Sequence, residues 1–527
     1  MPGCRPRSSL MPAMIFEFVR ARAASAPDAE AAIDGDVRLT NAAVAARVDE
    51  VARALLAAGV GRGDRVATLA PPSLDFWLTY LATTSIGAIW LGLNPRYQGP
   101  EYAYLLGDAT PRVVFIQSPF EGRDYSTELQ AVGPGVDRFV VFGEPTGRAV
   151  TFLEFLATGT SVTAGSLDAA RDAVRPEDVA VIVYTSGTTG KPKGAMLSHG
   201  AIAACARANA EWMGDGLECA LCAAPINHIG ALNNVCMNVL AFGGRLIFHP
   251  RVDWEALARI GAREQSTFMI ASPTTLLMLL ATPGYDPAVP RSARIMIVGG
   301  AVSPRALLER WVPSGIKISN VYGQTETTGI ISHTEFGDSI DVAAETLGSP
   351  IPGIEWRVAG AEGRPVAKGE TGEIQVKGPY VMSGYFNRPE ATAAAFTPDG
   401  FLRTGDLGVE RADGRLAFVG RLKEMFKSGG YNVYPTEIEQ VIGEHPSVEI
   451  AVVLAVPHEL YQEVGHAFVQ PKFGATVTGD ELRTFLRSRI ANYKIPKQFT
   501  VEPALPKLPN LKIDKQALRR RLDGVGA

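Results

Sequence analysis

Cysteine is scarce in this 527-residue chain: five residues, at 4, 205, 219, 222 and 236, are too few and too scattered for a disulfide framework. A reducing, cytoplasmic setting fits that usage. Cys219-Ala-Leu-Cys222 has the spacing of half a zinc site or a redox pair, but no second pair follows and His228 is the only histidine nearby. Two ordinary buried thiols explain it better. An excess of basic charge is also missing, since 51 Lys and Arg against 55 Asp and Glu leave a formal charge of −4. That balance excludes the clustered positive footprint on which nucleic-acid binding depends. Long apolar runs are lacking as well. The uncharged stretch 76–93 reaches spanning length, but Thr79, Thr83, Thr84, Ser85 and Gly87 interrupt it and Asn94-Pro95 closes it. It reads as a buried helix followed by a strand, so no integral membrane association is expected. Residues 1–9 have none of the apolar core of a secretory signal, and 1–14 reads as a flexible leader. No short-period repeat or long low-complexity tract is visible.

What is abundant is apolar sequence, 46% of the chain, enough for several folding units at about 100–200 residues each. Short apolar runs recur at 65–69, 88–93, 112–116, 138–142, 179–183, 245–248, 267–270 and 294–298, with helical stretches between them. Most are continuous rather than alternating, which predicts strands covered on both faces, in parallel sheets flanked by helices. The two early α/β portions are compatible with a remote duplication. From about Gly348 the pattern changes to alternating segments, 354–358 and 373–378, between Gly/Pro turns. A small antiparallel barrel or sheet is expected there. After Gly420 mixed helix and strand return, and Pro435 with Glu437 opens a predicted helix, placing a boundary near Arg421.

The most informative segment is 184–194, Tyr-Thr-Ser-Gly-Thr-Thr-Gly-Lys-Pro-Lys-Gly, which follows the strand 179–183 directly. Gly187 and Gly190 let successive backbone N–H groups point at one anion, and Thr185, Ser186, Thr188 and Thr189 add hydroxyl donors. Lys191 and Lys193 supply the positive charge that a polyphosphate needs. The common Gly-x-x-x-x-Gly-Lys-Ser/Thr loop is not matched, because only two residues separate these glycines and Pro192 follows the first lysine. A phosphate cradle explains the segment better than a flexible linker.

Further along, Asn320-Val321-Tyr322-Gly323-Gln324-Thr325-Glu326 ends another strand with a flat ring, a glycine, a hydroxyl and a carboxylate. A ring can stack on a purine and a carboxylate can hold Mg²⁺, although a core tyrosine beside a capping Thr/Glu accounts for the residues nearly as well. Asp406, in Arg403-Thr-Gly-Asp406, can accept both hydroxyls of a ribose or act as a turn aspartate. Arg421 and Lys423 lie at the boundary, and Lys507 and Lys512 sit in a late loop that also reads as a solvated basic tail.

In this order the segments resemble the adenylate-forming superfamily of acyl-CoA synthetases, firefly-type luciferases and adenylation domains of nonribosomal peptide synthetases, over nearly the whole chain. The phosphate loop is 184–194; Pro225-Ile-Asn-His228 is similar to the gate motif; Val298-Gly299-Gly300-Ala301 and 322–326 are similar to the adenine-side motifs. Arg403-Thr-Gly-Asp406 is similar to the ribose motif, 420–424 to the hinge, and 507–512 to the segment carrying the catalytic lysine.

The resemblance implies a large N-terminal adenylation domain over 15–420, built of two α/β subdomains and a small β-barrel-like one. A hinge at 421–424 and a small mobile α+β domain over 425–527 would follow. It implies a carboxylate attacking the α-phosphate of ATP to release pyrophosphate, then a thiol attacking the acyl adenylate to give a thioester and AMP. Lys512 would be the transition-state cation, and Glu326 with Thr188 would hold Mg²⁺. Asn320 to Thr325, Gly299, Gly300, Ala301, Asp406 and Arg421 would surround the nucleotide, and Lys423 would be the hinge. Lys427 would serve the second step, with Ser428, Gly429 and Gly430 lining a CoA tunnel. Family members usually carry a threonine and a glycine just before the lysine equivalent to Lys512, where this chain has Asn510 and Leu511. Small or apolar residues at 327–331 and the absence of an aspartate near the gate favour an uncharged fatty, alicyclic or aryl acid. His228 either faces the substrate carboxylate or is structural. A CoA ligase is the preferred reading, carrier-protein loading the next, and an inactive nucleotide-binding relative the third. ATP and CoA are the expected co-substrates, in a monomer or a homodimer.

Overall fold

The continuous apolar runs are strands, and most lie in sheet interiors. The structure, a computed structural model, describes residues 12–185, 191–287, 292–428, 430–508 and 512–524. Among the described residues one sheet has nine strands. Its parallel centre runs through Lys317–Gln324, Ile295–Gly299, Phe268–Ala271, Cys219–Cys222, Arg245–Phe248 and Glu30–Asp34. Gly329–His333 and Val37–Thr40 continue it antiparallel at either side. A second sheet of eight strands has Val179–Thr185, Ile89–Leu93, Arg65–Leu69, Val113–Gln117 and Arg138–Phe142 parallel at its centre. Its antiparallel member is Lys193–Ser198, hydrogen-bonded to Val179–Thr185. Too few residues separate those two strands for a parallel crossover, which needs a dozen or more, so the chain must return as a hairpin.

The uncharged stretch 76–93 folds as helix Leu74–Ser85 followed by strand Ile89–Leu93. Every residue of that helix except Asp75 is buried, which explains the polar interruptions. Thr79, Thr84 and Ser85 donate their hydroxyls to the carbonyls of Phe76, Tyr80 and Ala82, which lets these three polar side chains sit in a buried helix. Trp90, fully buried, meets the rings of Phe76 and Tyr80 edge-on and donates its indole N–H to Thr68 at 3.1 Å. Among the described residues no helix is long and apolar enough to cross a membrane. Cys219 and Cys222 lie three apart on one strand and so face opposite sides, Cys219 toward Ile33 and Ile247 and Cys222 toward the main core. That geometry does not form a common ligand site for one metal.

The alternating segments form a four-stranded antiparallel sheet, in the order Glu355–Ala359, Thr371–Lys377, Leu402–Glu410 and Leu416–Arg421. It is an open sheet, since its two outer strands are not paired with each other. Residues 422–425 lead from its last strand to Phe426–Ser428, the first strand of a C-terminal five-stranded sheet. In that sheet Val448–His458 and Gln462–Pro471 form a long hairpin. Odd and even positions serve two faces: Val453 and Val469 pack on helices Pro435–Gly443 and Gly479–Arg487, while Val452, Leu454 and Phe468 pack on helix Lys515–Gly524.

Candidate active site

The phosphate-loop segment is a hairpin whose two strands pair Tyr184 with Gly194 and Thr185 with Lys193. Gly194 is required there, because a Cβ would lie 2.6 Å from Ile182 Cγ2. Residues 186–190, which hold Ser186, Gly187, Thr188, Thr189 and Gly190, lie outside the described residues. The base of the hairpin is fixed from outside. Tyr184 donates its hydroxyl to Asp108 at 2.7 Å, and Arg388 pairs with the other oxygen of Asp108 at 2.7 Å. Lys191 Nζ stands 5.2 Å over the ring of Tyr104, and Lys193 Nζ 5.2 Å over that of Tyr385. Each lysine thus lies against an aromatic ring.

Tyr385 also donates its hydroxyl to Glu326 Oε1 at 2.9 Å, which links the hairpin to the Tyr322–Glu326 segment. Glu326 sits in a 3₁₀ turn, Thr325–Thr327, and its carbonyl accepts from Met382 N–H. Gly323 lies at a register shift where a Cβ would come 1.8 Å from the carbonyl oxygen of Gly329, so no other residue fits. Among the described residues no cluster of three metal-binding side chains exists. A lone carboxylate is what Mg²⁺ takes when phosphate oxygens and water supply the rest of its shell.

Asp406 is 1% exposed and is held by two partners from different elements. Tyr322 donates its hydroxyl to Oδ2 at 2.8 Å, and Arg421 Nε lies 2.8 Å from Oδ1. Burial pushes the carboxyl above its usual range, and Arg421 and Tyr322 oppose that shift. Arg421 compensates the charge without hydrogen-bond geometry, so buried Oδ1 accepts no hydrogen bond. With Arg421 beside it Oδ1 is charge-compensated, and it keeps lone pairs able to accept a hydroxyl. Asn320 is tied away from this site, donating to the carbonyl of Thr346 at 2.7 Å. Val321 packs where a Cβ on Gly299 would fall, at 2.8 Å.

Lys512 belongs to the C-terminal portion, yet it lies against the N-terminal one. A Cβ on Gly300, whose φ is +82°, would sit 3.8 Å from Lys512 Nζ, so the ammonium rests over the glycine at the end of strand Ile295–Gly299. Ala301 follows that glycine. Crowding by protein atoms and then Arg421 lower the Lys512 ammonium from its ordinary value, while Asp406 opposes them. His228 lies in the same field. Burial and then Lys512 bring its pKa down to about 4, so the imidazole is neutral at physiological pH. Residues 228, 300, 406, 421 and 512, spread over nearly three hundred positions, therefore converge on one place.

The gate segment is coupled to Glu326 by a feature that the sequence did not signal. His228 precedes a helical run that widens into a π-helix over Leu232–Met237, and this places Asn233 and Asn234 against strand Gly329–His333. Asn233 donates to the carbonyl of Thr328 at 2.6 Å, and Asn234 accepts from Ile330 N–H at 3.3 Å. Thr328 is held at φ +60°, a conformation costly for a β-branched residue, two positions after Glu326. π-Helical turns are frequent at functional sites.

The other C-terminal residues keep different company. Lys427 and Ser428 belong to strand Phe426–Ser428, which pairs with Tyr431–Val433 and, at Ser428, with Gln462. Lys427 is exposed, and Gly430 takes φ +86° with open space around it. Gly429 lies outside the described residues. Lys423 is exposed in the 422–425 connection. Tyr104, Asp108, Tyr385 and Arg388 were missed in the sequence because their partners are 59 to 284 positions distant.

The AMP-binding enzyme family matches residues 19–386, and its AMP-binding enzyme C-terminal domain matches 437–512. A feruloyl-CoA synthase of an Amycolatopsis species is 37% identical over 509 residues, 95% of this chain and 97% of that protein. An indoleacetate–CoA ligase of Aromatoleum aromaticum is 34% identical over 494 residues, 92% and 93% of the two. ATP-bound MatB from Rhodopseudomonas palustris superposes with a TM-score of 0.84 at 30% identity, over 98% of this chain and all of that one.

Proposed function

This chain belongs to the AMP-binding enzyme family, and from that premise we propose that it is an ATP-dependent acyl-CoA ligase acting on an uncharged aryl or alicyclic carboxylic acid. The reaction joins acid, ATP and CoA through an acyl adenylate and yields acyl-CoA, AMP and pyrophosphate. The observation that carries the reading is Lys512 lying over Gly300, in the field of His228, Arg421 and Asp406.

In the first half-reaction the hairpin lysines Lys191 and Lys193 bind the β- and γ-phosphates that leave as pyrophosphate. Asp406 Oδ1 accepts a ribose hydroxyl, and the ring of Tyr322 offers a face to the purine. When the acid attacks the α-phosphorus, charge builds on the equatorial oxygens, and a preorganised cation is worth most there. Lys512 is that cation. Crowding and Arg421 disfavour its charge, and an anionic phosphate is a partner that would offset both. His228, being neutral, can donate a hydrogen bond to the carboxylate without competing with Lys512 for the phosphate. Glu326, with Thr188, is the pair that would hold Mg²⁺, whose contribution is to neutralise phosphate charge.

The second half-reaction needs a thiol path. Lys427, Ser428 and the glycines 429 and 430 would provide it after rotation about Lys423, with the domain limits 15–420, 421–424 and 425–527. CoA rather than a carrier protein is the acceptor supported by the named activities of the feruloyl and indoleacetate relatives. Those two relatives, with the apolar residues Ile226, Ile229 and Leu232 around the gate, favour a ring-bearing acid over a charged one. The four described cysteines are all free, which fits a cytoplasmic enzyme. Incubation with ATP, CoA and a panel of aryl, alicyclic and fatty acids tests the reading: AMP should appear only when acid and CoA are both present. AMP that requires a carrier protein, or no AMP with any acid, would overturn it.

A further inference from the structure

Lys512 acts from a hairpin that has to be aimed. Its carbonyl accepts from Leu508 N–H at 2.7 Å, Ile513 bridges to Lys507, and Asp514 N–H reaches the carbonyl of Pro506 at 2.8 Å. The hairpin leads directly into helix Lys515–Gly524, whose positions 515, 518 and 522 share one face. Leu518 and Leu522 seat that face on Val452, Leu454 and Phe468. Apolar contact of this kind fixes which face is buried but defines the helix direction only loosely.

Direction is supplied at the first helical residue. Lys515 Nζ lies 2.6 Å from Glu424 Oε2 and 3.7 Å from Glu439 Oε1. Glu439 is itself fixed, accepting Val453 N–H at 2.9 Å from helix Pro435–Gly443. Glu424 belongs to the turn at the boundary between the two portions, where its N–H and that of Met425 both bond the carbonyl of Arg421. Arg421 in turn pairs with Asp406. The contacts thus close a circuit: Asp406, Arg421, the turn, Glu424, Lys515, the hairpin, and Lys512 back beside Asp406. Without Lys515 the two carboxylates would face each other across the gap with no cation between them, and their mutual repulsion would open the circuit.

We propose that Lys515, clamped by Glu424 and Glu439, is a positioning residue that sets the reach of Lys512 into the site and so serves the adenylation half-reaction specifically. The proposal rests on the reading of Lys512 given above. Misplacing a catalytic group by about 1 Å costs up to about 10²-fold. A Lys515→Ala variant should therefore lose about 10- to 100-fold in pyrophosphate release from ATP and ferulate, while converting supplied feruloyl adenylate and CoA to the thioester within about threefold of wild type. Lys515→Arg, which keeps a cation between the carboxylates, should restore most of the first rate.

Equal losses in both half-reactions would reduce Lys515 to a general structural role and overturn the proposal. So would unimpaired adenylation by Lys515→Ala alongside a Lys512→Gln enzyme that has lost it. If Lys512→Gln itself keeps adenylation, the reading of Lys512 fails first and the proposal falls with it. Should Lys515→Ala not fold, Lys515→Gln and Glu424→Gln carry the same comparison.

Discussion

Replacing Lys512 with glutamine removes one charge and keeps most of the side-chain length, which makes it the sharpest test of the site. The ammonium lies over Gly300, at the mouth where an α-phosphate would lie. Two unit charges about 4 Å apart at an effective dielectric of about 20 attract by about 4 kcal/mol, and removal of one oxyanion donor in other enzymes costs about 2.7–4 kcal/mol. The two estimates agree on a fall of about 10²- to 10³-fold in the adenylation rate. Folding should not suffer, because crowding and Arg421 already disfavour the charged form. The melting temperature should therefore stay at or slightly above that of wild type. Pyrophosphate release reads the first half-reaction, and thioester formation from supplied acyl adenylate reads the second, which should persist. Full adenylation activity in Lys512→Gln would refute the assignment of the transition-state cation. A drop in melting temperature matching the loss of rate would attribute the effect to folding instead.

Tyr385→Phe keeps the ring under Lys193 but deletes the 2.9 Å hydrogen bond to Glu326; a net loss of about 1 kcal/mol should raise the KM for MgATP about fivefold with little change in kcat. A magnesium titration at fixed ATP would locate the effect, and an unchanged KM would disconnect Tyr385 from the phosphate side. Gly323→Ala puts a Cβ 1.8 Å from the carbonyl oxygen of Gly329, and backbone cannot yield as a side chain can, so destabilisation of about 3 kcal/mol or more is expected by thermal or urea unfolding. The histidines make stability depend on acidity. Burial brings His199, His228 and His333 down to about 4, so between roughly pH 6.5 and 4 the unfolded chain binds protons that the folded one does not, and stability falls as pH falls through that window. His333→Phe keeps the stack on Trp212 without a titrating group, and its melting temperature should decline less steeply over the same range.

Much of this molecule was legible in one dimension. Strands buried on both faces must be apolar throughout, so the runs at 65–69, 179–183 and 294–298 identified themselves, as did the change to alternation after Gly348 where a sheet has two unlike faces. The phosphate hairpin was also readable, because glycines, hydroxyls and lysines in sequence are what a backbone cradle requires. Strand Cys219–Cys222 was less so: ordinary buried thiols were the preferred reading of its cysteines, and it is the strand's twofold alternation that sends them to opposite sides. Val37–Thr40 escaped notice because four residues, two of them exposed, are too short a run for their alternation to stand out.

The site divides in the same way. Local chemistry marked Asp406, Glu326 and Lys512 as residue types suited to ribose, magnesium and phosphate. What it could not supply was distance. That Lys512 rests on Gly300, that Tyr322 and Arg421 share Asp406 while leaving one oxygen without a hydrogen bond, and that Asp108 and Arg388 brace the hairpin are contacts between residues tens to hundreds of positions apart. Sequence by itself determined which elements form, since backbone pairing and burial act on neighbouring residues, and it named side chains suited to the proposed chemistry. The tertiary structure alone decided which of them meet, because electrostatic coupling and hydrogen bonds depend on separation in space, and separation along the chain says nothing about it.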